Sequence, residues 1–138
     1  MKDSAVITIP ADAKYLCVLR SVTSKMAELS GLGNGEIEEV VHAVDEACSN
    51  SIKYACRGDS SKEIAVTFHF NDASFNVTIE DTGIKADPDA IRGRDLDDVR
   101  PGGLGVHFIH KAFDVVSFDE RKEEGNRLSL VRHRKEHR

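Results

Sequence analysis

The apolar positions of this chain fall into two rhythms, and the switches between them mark its elements. Ala5–Ile9 is a short apolar and β-branched run closed by Pro10, which reads as a strand. From Asp12 to Leu29 apolar residues recur at Tyr15, Leu19, Val22, Met26 and Leu29, the spacing of a helix. Gly31, Gly33 and Gly35 then stop it. A second helix is expected from about Glu36 to Ala55, with Ile37, Val40/Val41, Val44, Cys48, Ile52 and Ala55 as its stripe. Strict alternation follows at Ile64, Val66, Phe68 and Phe70, and again at Phe75, Val77 and Ile79. The two runs are joined by the turn Asn71-Asp72-Ala73-Ser74. Residues 84–101 lose any period and turn polar, which suits a lid or binding loop. After Gly105 a third helix carries Val106, Phe108, Ile109, Ala112 and Phe113. Val115–Phe118 and Leu128–Val131 close the chain as a hairpin.

The predicted order is therefore β-α-α-β-β-lid-α-β-β. Hairpin-joined strands make a mixed, largely antiparallel sheet, and three helices must cover one face of it. The expected fold class is an α/β (α+β) two-layer sandwich. At 138 residues, one domain spanning 1–138 is expected, large enough to bury roughly 70% of its unfolded surface.

Composition narrows the function. Net charge is -5 and no basic stripe runs through the body of the chain, which argues against a nucleic-acid surface. The basic run 132–138 reads as a solvated tail. Cys17, Cys48 and Cys56 are odd in number and match no zinc spacing. Cys17 and Cys48 fall on apolar helix faces, so both are expected buried, in a reducing compartment. No apolar run approaches the roughly 20 residues of a membrane span, and the first residues lack a signal-peptide core. A soluble cytoplasmic protein is expected, with neither membrane nor direct nucleic-acid contact.

Three blocks carry candidate chemistry. Glu46 and Asn50 stand four residues apart on the second helix, and Lys53 follows on the same face, opposite Val44, Cys48 and Ile52. Asn50 offers a hard oxygen to Mg²⁺, and Glu46 can take a proton from a hydroxyl or water attacking a phosphate. Alone, this face reads as solvated helix surface. Asp81 ends a strand and is followed by Thr82-Gly83. It is at least a turn; as a buried acceptor it would select adenine's exocyclic amine over guanine's carbonyl. Gly102-Gly103-Leu104-Gly105-Val106 leads into the third helix, where unpaired N–H groups can hold phosphate.

In this order the blocks resemble the Bergerat-fold (GHKL) ATPases, the superfamily of gyrase, MutL and the histidine kinases. Glu46-x-x-x-Asn50 is similar to their N-box, Asp81-x-Gly83 to their first glycine box, and Gly102-Gly-Leu-Gly105 to their second. Within the superfamily the chain looks most like the anti-sigma factor serine kinases of bacterial partner-switching systems, of the RsbW and SpoIIAB type. The resemblance implies an ATP-dependent serine-protein kinase with Glu46 as general base. It implies Asn50 as Mg²⁺ ligand, Lys53 near phosphate and Asp81 with Gly83 at adenine. The phosphates would lie on the backbone of Gly102, Gly103, Leu104, Gly105 and Val106. In the lid it points to Arg100, then Arg94, for the γ-phosphate. Arg20 matches a partner-contacting position, though a solvated arginine fits it equally.

The implied partners are a sigma factor, which the protein would sequester, and a STAS-domain anti-anti-sigma factor as protein substrate. A homodimer is also implied, and an open sheet edge permits one. Two positions depart from the pattern. Lys85 stands where many relatives have a second glycine, and Asn126 follows Gly125 where relatives often have threonine, which puts its adenine contact in question. His107 with His110, and His133 with His137, have no third ligand in view, so zinc is not expected. Two other readings stay open: an ATP-binding regulatory module without kinase activity, and a detached histidine-kinase catalytic domain.

Overall fold

A computed structural model describes residues 3–84, 103–119, 122 and 124–134, with the backbone alone at 3 and 103–106. Strand β1 is Asp3–Pro10. A short 3-10 turn, Ala13–Tyr15, leads into helix α1, Leu16–Ser30. Helix α2 runs Asn34–Asn50 and passes into a π-helical turn, Ser51–Ala55. Strands β2, Glu63–Phe70, and β3, Ser74–Asp81, form a hairpin. Helix α3 is Gly103–Ala112, and β4, Val115–Phe118, and β5, Asn126–His133, complete the described chain.

The sheet order is β1-β2-β3-β5-β4, and every pairing is antiparallel. The last hairpin thus inserts β5 between β3 and β4, which sets Asp81 opposite Asn126. The sheet expected to be largely antiparallel is wholly so among the described strands. Alternation decides the faces. Ile64, Val66 and Phe68 of β2, Phe75, Val77 and Ile79 of β3, and Leu128 and Leu130 of β5 are all buried. They meet Leu19 of α1, Val40, Val44 and Cys48 of α2, and Ile109 of α3 in one core. This is the expected two-layer α/β sandwich.

The stripe of α1 is rotated from the expected one. Leu16, Leu19, Thr23, Ala27 and Ser30 are buried, while Leu29 is 64% exposed and Cys17 is exposed. Thr23 and Ser30 tolerate burial because their hydroxyls donate to the Leu19 and Ala27 carbonyls, each at 2.7 Å. Gly31, at φ +93°, ends the helix in the left-handed region, where a side chain would be strained.

Two further expectations change. The second helix does not continue as an α-helix to Ala55, since the ladder widens after Asn50. The solvated tail does not begin at Arg132, because β5 takes in Arg132 and His133. Arg132 donates to the Ala112 carbonyl at 2.8 Å and pairs with Glu36 at 3.1 Å and Glu39 at 3.2 Å. One guanidinium therefore ties β5 to the start of α2 and the end of α3.

Candidate active site

Helix α2 sets one wall. Its inner face, Val40, Ala43, Val44, Ala47 and Cys48, is packed into the core. Glu46 and Asn50 lie half-buried on the other side, and Lys53 is exposed beyond them. Beside Glu46, Asp45 is paired with Arg20 of α1 at 2.9 Å. No side-chain hydrogen bond or ion pair ties Glu46 or Asn50 to another described residue. Among the described residues no group of three or more His, Cys, Asp and Glu is placed to hold a metal. A Mg²⁺ ion fits here only in the manner usual for that ion, with one hard protein oxygen, the Asn50 amide, and the rest from phosphate and water.

The π turn connects this wall to Asp81. Ser51 still follows the α2 turn, its N–H donating to the Ala47 carbonyl, so it continues the inner face of Val44, Ala47 and Cys48. The wider ladder begins beyond it, with Cys56 N–H donating to the Ser51 carbonyl at 2.9 Å. The Ser51 hydroxyl donates to Asp81 Oδ2 at 2.6 Å. Asp81 Oδ1 accepts from Gly83 N–H at 2.9 Å and from Asn126 Nδ2 at 3.0 Å. Asp81 is only 4% exposed, and these three donors offset the cost of burying its carboxylate.

The turn after Asp81 is held on both sides. Ile84 N–H donates to the Ala55 carbonyl at 2.8 Å, and the Ile84 carbonyl accepts from Asn126 Nδ2 at 2.8 Å. Gly83 is required by contact: a Cβ there would run into the Ala55 carbonyl and meet Cys56 N at 2.8 Å. Gly125 is required by both contact and conformation, with φ +67° and a Cβ that would strike the Asp81 carbonyl. Cys56 is buried beside this cluster; burial and then the nearby Asp81 carboxylate push its thiol up.

Helix α3 supplies the third wall. Gly103 to Val106 form its first turn, three residues earlier than the sequence pattern suggests, and the N–H groups of Gly103, Leu104 and Gly105 have no intrahelical partner. Ile109 and Ala112 anchor the helix, with Phe113 just beyond it, and Phe108 meets the ring of His42 on α2 at 5.4 Å. His107 and His110 are exposed. Lys85, Arg94, Arg100 and Gly102 lie outside the described residues.

The structure thus brings Asp81, Gly83 and Asn126 together, and the π turn joins them to the helix of Glu46 and Asn50. Sequence reasoning missed Ser51 and Lys122. Lys122 donates from Nζ to the carbonyls of Asp81 and Asn126, each at 3.3 Å. Ser51 lies on the inner stripe of α2, four residues after Ala47 and seven after Val44, so helical spacing already points to it, whereas Lys122 sits in a charged run that gives no such signal.

Residues 9–132 match the histidine kinase-like ATPase domain family. The serine-protein kinase RsbW of Listeria innocua is 31% identical, the match covering 87% of this chain and 83% of that one. The chain belongs to the histidine kinase-like ATPase family, among its RsbW serine-protein kinases. RsbW of Bacillus subtilis is 28% identical, over 83% of this chain and 76% of the relative. A crystal structure of the RsbU and RsbW domains of a Mycobacterium tuberculosis protein shares the fold. Its TM-score is 0.65 at 18% identity, with 95% of this chain and 32% of the solved chain covered. This RsbW-family chain therefore spans about a third of that solved chain.

Proposed function

We propose that this RsbW-family protein binds ATP and transfers its γ-phosphoryl group to a serine of a STAS-domain anti-anti-sigma factor, and that it sequesters a sigma factor when that antagonist is phosphorylated. The observation that carries the reading is the 2.6 Å bond from Ser51 to Asp81. It sets a buried acceptor beside the helix that bears a carboxylate and an amide.

In this reading Asp81 accepts the exocyclic amine of adenine, and Gly83 and Asn126 shape the same end of the pocket. The first-turn N–H groups of α3, at Gly103, Leu104 and Gly105, hold phosphate at the positive end of the helix. Glu46 takes the proton of the substrate serine as its oxygen bonds to the γ-phosphorus and ADP departs. Asn50 is the residue that would hold Mg²⁺, which supplies charge neutralisation at the phosphates. Lys53, exposed on the same helix, meets phosphate from the solvent side. Gly102, Val106 and Arg100 are assigned to the phosphates by resemblance alone.

Phosphorylation adds close to two negative charges to the antagonist and weakens its docking. The single-domain organisation over 1–138, a homodimer and a cytoplasmic location belong to the same proposal. No helix among the described residues is long and apolar enough to cross a membrane. The test is incubation of the purified protein with labelled ATP and a STAS-domain protein, alongside a pull-down with a sigma factor. Phosphoserine on the STAS protein, and sigma capture released by its unphosphorylated form, support the reading. Absence of phosphotransfer leaves it a binding module.

A further inference from the structure

The charged turn before β5 holds a lysine with an unusual set of partners. Lys122 has a side chain only 19% exposed, and its ammonium sits 3.8 Å from the Glu80 carboxylate. It donates to two main-chain carbonyls, those of Asp81 and Asn126. These residues are the last facing pair of the β3–β5 ladder, and their side chains meet at 3.0 Å. Glu80 is in turn held by Arg127 Nε at 2.7 Å, and Arg127 reaches Asp119 at 3.0 Å. The chain Asp119, Arg127, Glu80, Lys122 therefore runs along the strand ends and reaches the backbone of the residue that bears the buried carboxylate.

A ladder frays at its last rung unless something replaces the next pair of bonds. Here an ammonium, which can direct three donors at once, does so. It bridges the Asp81 and Asn126 backbones at that rung. We propose that Lys122 is a positioning residue for base recognition: by clamping the Asp81 and Asn126 carbonyls it sets the Asp81 carboxylate at the angle that accepts adenine. Lys122 acts through Asp81, and the inference rests on the reading of Asp81 as the adenine acceptor.

The experiment is titration of the full chain with ADP and with GDP, for the parent, Lys122→Met, Lys122→Gln, Lys122→Arg and Asp81→Asn, with melting temperatures measured without nucleotide. Lys122→Met keeps the bulk and removes the charge. It should weaken ADP roughly tenfold, the order of one lost charge-assisted hydrogen bond, and leave weak GDP binding where it was. The ADP-to-GDP preference then narrows by the same factor, and Lys122→Arg restores it. Should Lys122→Met not fold, Lys122→Gln, which keeps a neutral donor, gives the same comparison at smaller amplitude. Unchanged ADP affinity overturns the inference, as does an equal loss for ADP and GDP, which would make Lys122 a general stabiliser. If Asp81→Asn leaves ADP binding intact, the reading of Asp81 fails first. If Asp81→Asn weakens ADP and the Lys122 variants do not, only the inference falls.

Discussion

The Ser51 hydroxyl donates to Asp81 Oδ2 at 2.6 Å, and this bond joins the end of the Glu46 helix to the strand end at the base of the site. Ser51 is buried, and among the described residues the Asp81 carboxylate has two other donors, Gly83 N–H and Asn126 Nδ2. Ser51→Ala leaves Oδ2 without this donor inside the protein. The expected outcome is a stability loss of about 2 kcal/mol, the usual cost of stranding a buried acceptor. ATP binding should weaken with it. Urea unfolding and an ADP titration check both; an unchanged unfolding midpoint would show that Oδ2 finds another donor.

How much of this is legible in the sequence follows from the kind of residue involved. The strands of the β2–β3 hairpin are readable because Val66, Phe68, Val77 and Ile79 are apolar and buried while their neighbours are not. Each of the three blocks is ordinary alone, and it is their order along the chain that singles them out. Helix α1 departs from its pattern where polarity and burial part company. Thr23 is fully buried because its hydroxyl bonds its own helix, and Leu29 is left outside. The π turn is hidden because Ile52 and Ala55 are spaced as an α-helix would space them, so only the ladder reveals the widening. Arg132 reads as tail because charge runs usually are, yet its partners lie 93 and 96 positions away along the chain.

Gly83 leaves no room for a side chain. Any Cβ there meets the Ala55 and Cys56 backbone, which cannot swing aside as a side chain could. Gly83→Ala should cost about 2 kcal/mol of stability by forcing the turn off the π segment. It should also abolish measurable ADP binding, since Asp81 moves with the turn. Gly125→Ala makes a useful companion, because it adds a strained φ to a similar clash against the Asp81 carbonyl. Calorimetric melting with and without ADP checks the pair; a variant that melts normally and still binds would overturn the packing argument.

Glu46 and Asp81 should separate chemistry from binding. Glu46→Gln keeps the shape of the α2 face and removes only proton-accepting power. Phosphotransfer to the protein substrate should fall about 100-fold or more, with ATP affinity within about twofold of the parent. Asp81→Asn should do the reverse at its root, weakening ATP binding. Single-turnover transfer at saturating ATP and a nucleotide titration distinguish the two, and full transfer by Glu46→Gln would remove it as the base.

Arg132 tests the closure of the α2–α3 wall. With its side chain 16% exposed, it bonds the Ala112 carbonyl and two glutamates at the start of α2. Arg132→Met retains the stem and strands that carbonyl, so a loss of about 2 kcal/mol is expected. Because Glu36 and Glu39 are partly solvated, most of this loss should persist at high salt. Urea unfolding at low and high ionic strength checks it, and a loss that vanishes with salt would assign the effect to the ion pairs instead.

The buried thiols set an alkaline limit. Burial, then the Asp45 carboxylate, pushes the Cys48 thiol far above its ordinary 9.0, and Cys56 shifts the same way beside Asp81. Both thiols therefore hold their protons in the folded chain at a pH where the unfolded chain releases them. With fewer protons bound in the unfolded state, stability must fall as pH rises through and beyond 9.0, and it should be untouched by these groups below that value. Cys48→Ala removes the more deeply buried of the two thiols, so its stability curve should be flatter above pH 9.0 even though the cavity lowers it at neutral pH. Cys17, exposed on α1, should be the thiol that reacts with iodoacetamide in the folded protein at neutral pH. Parallel slopes for parent and variant in alkaline unfolding would show that Cys48 does not set the limit.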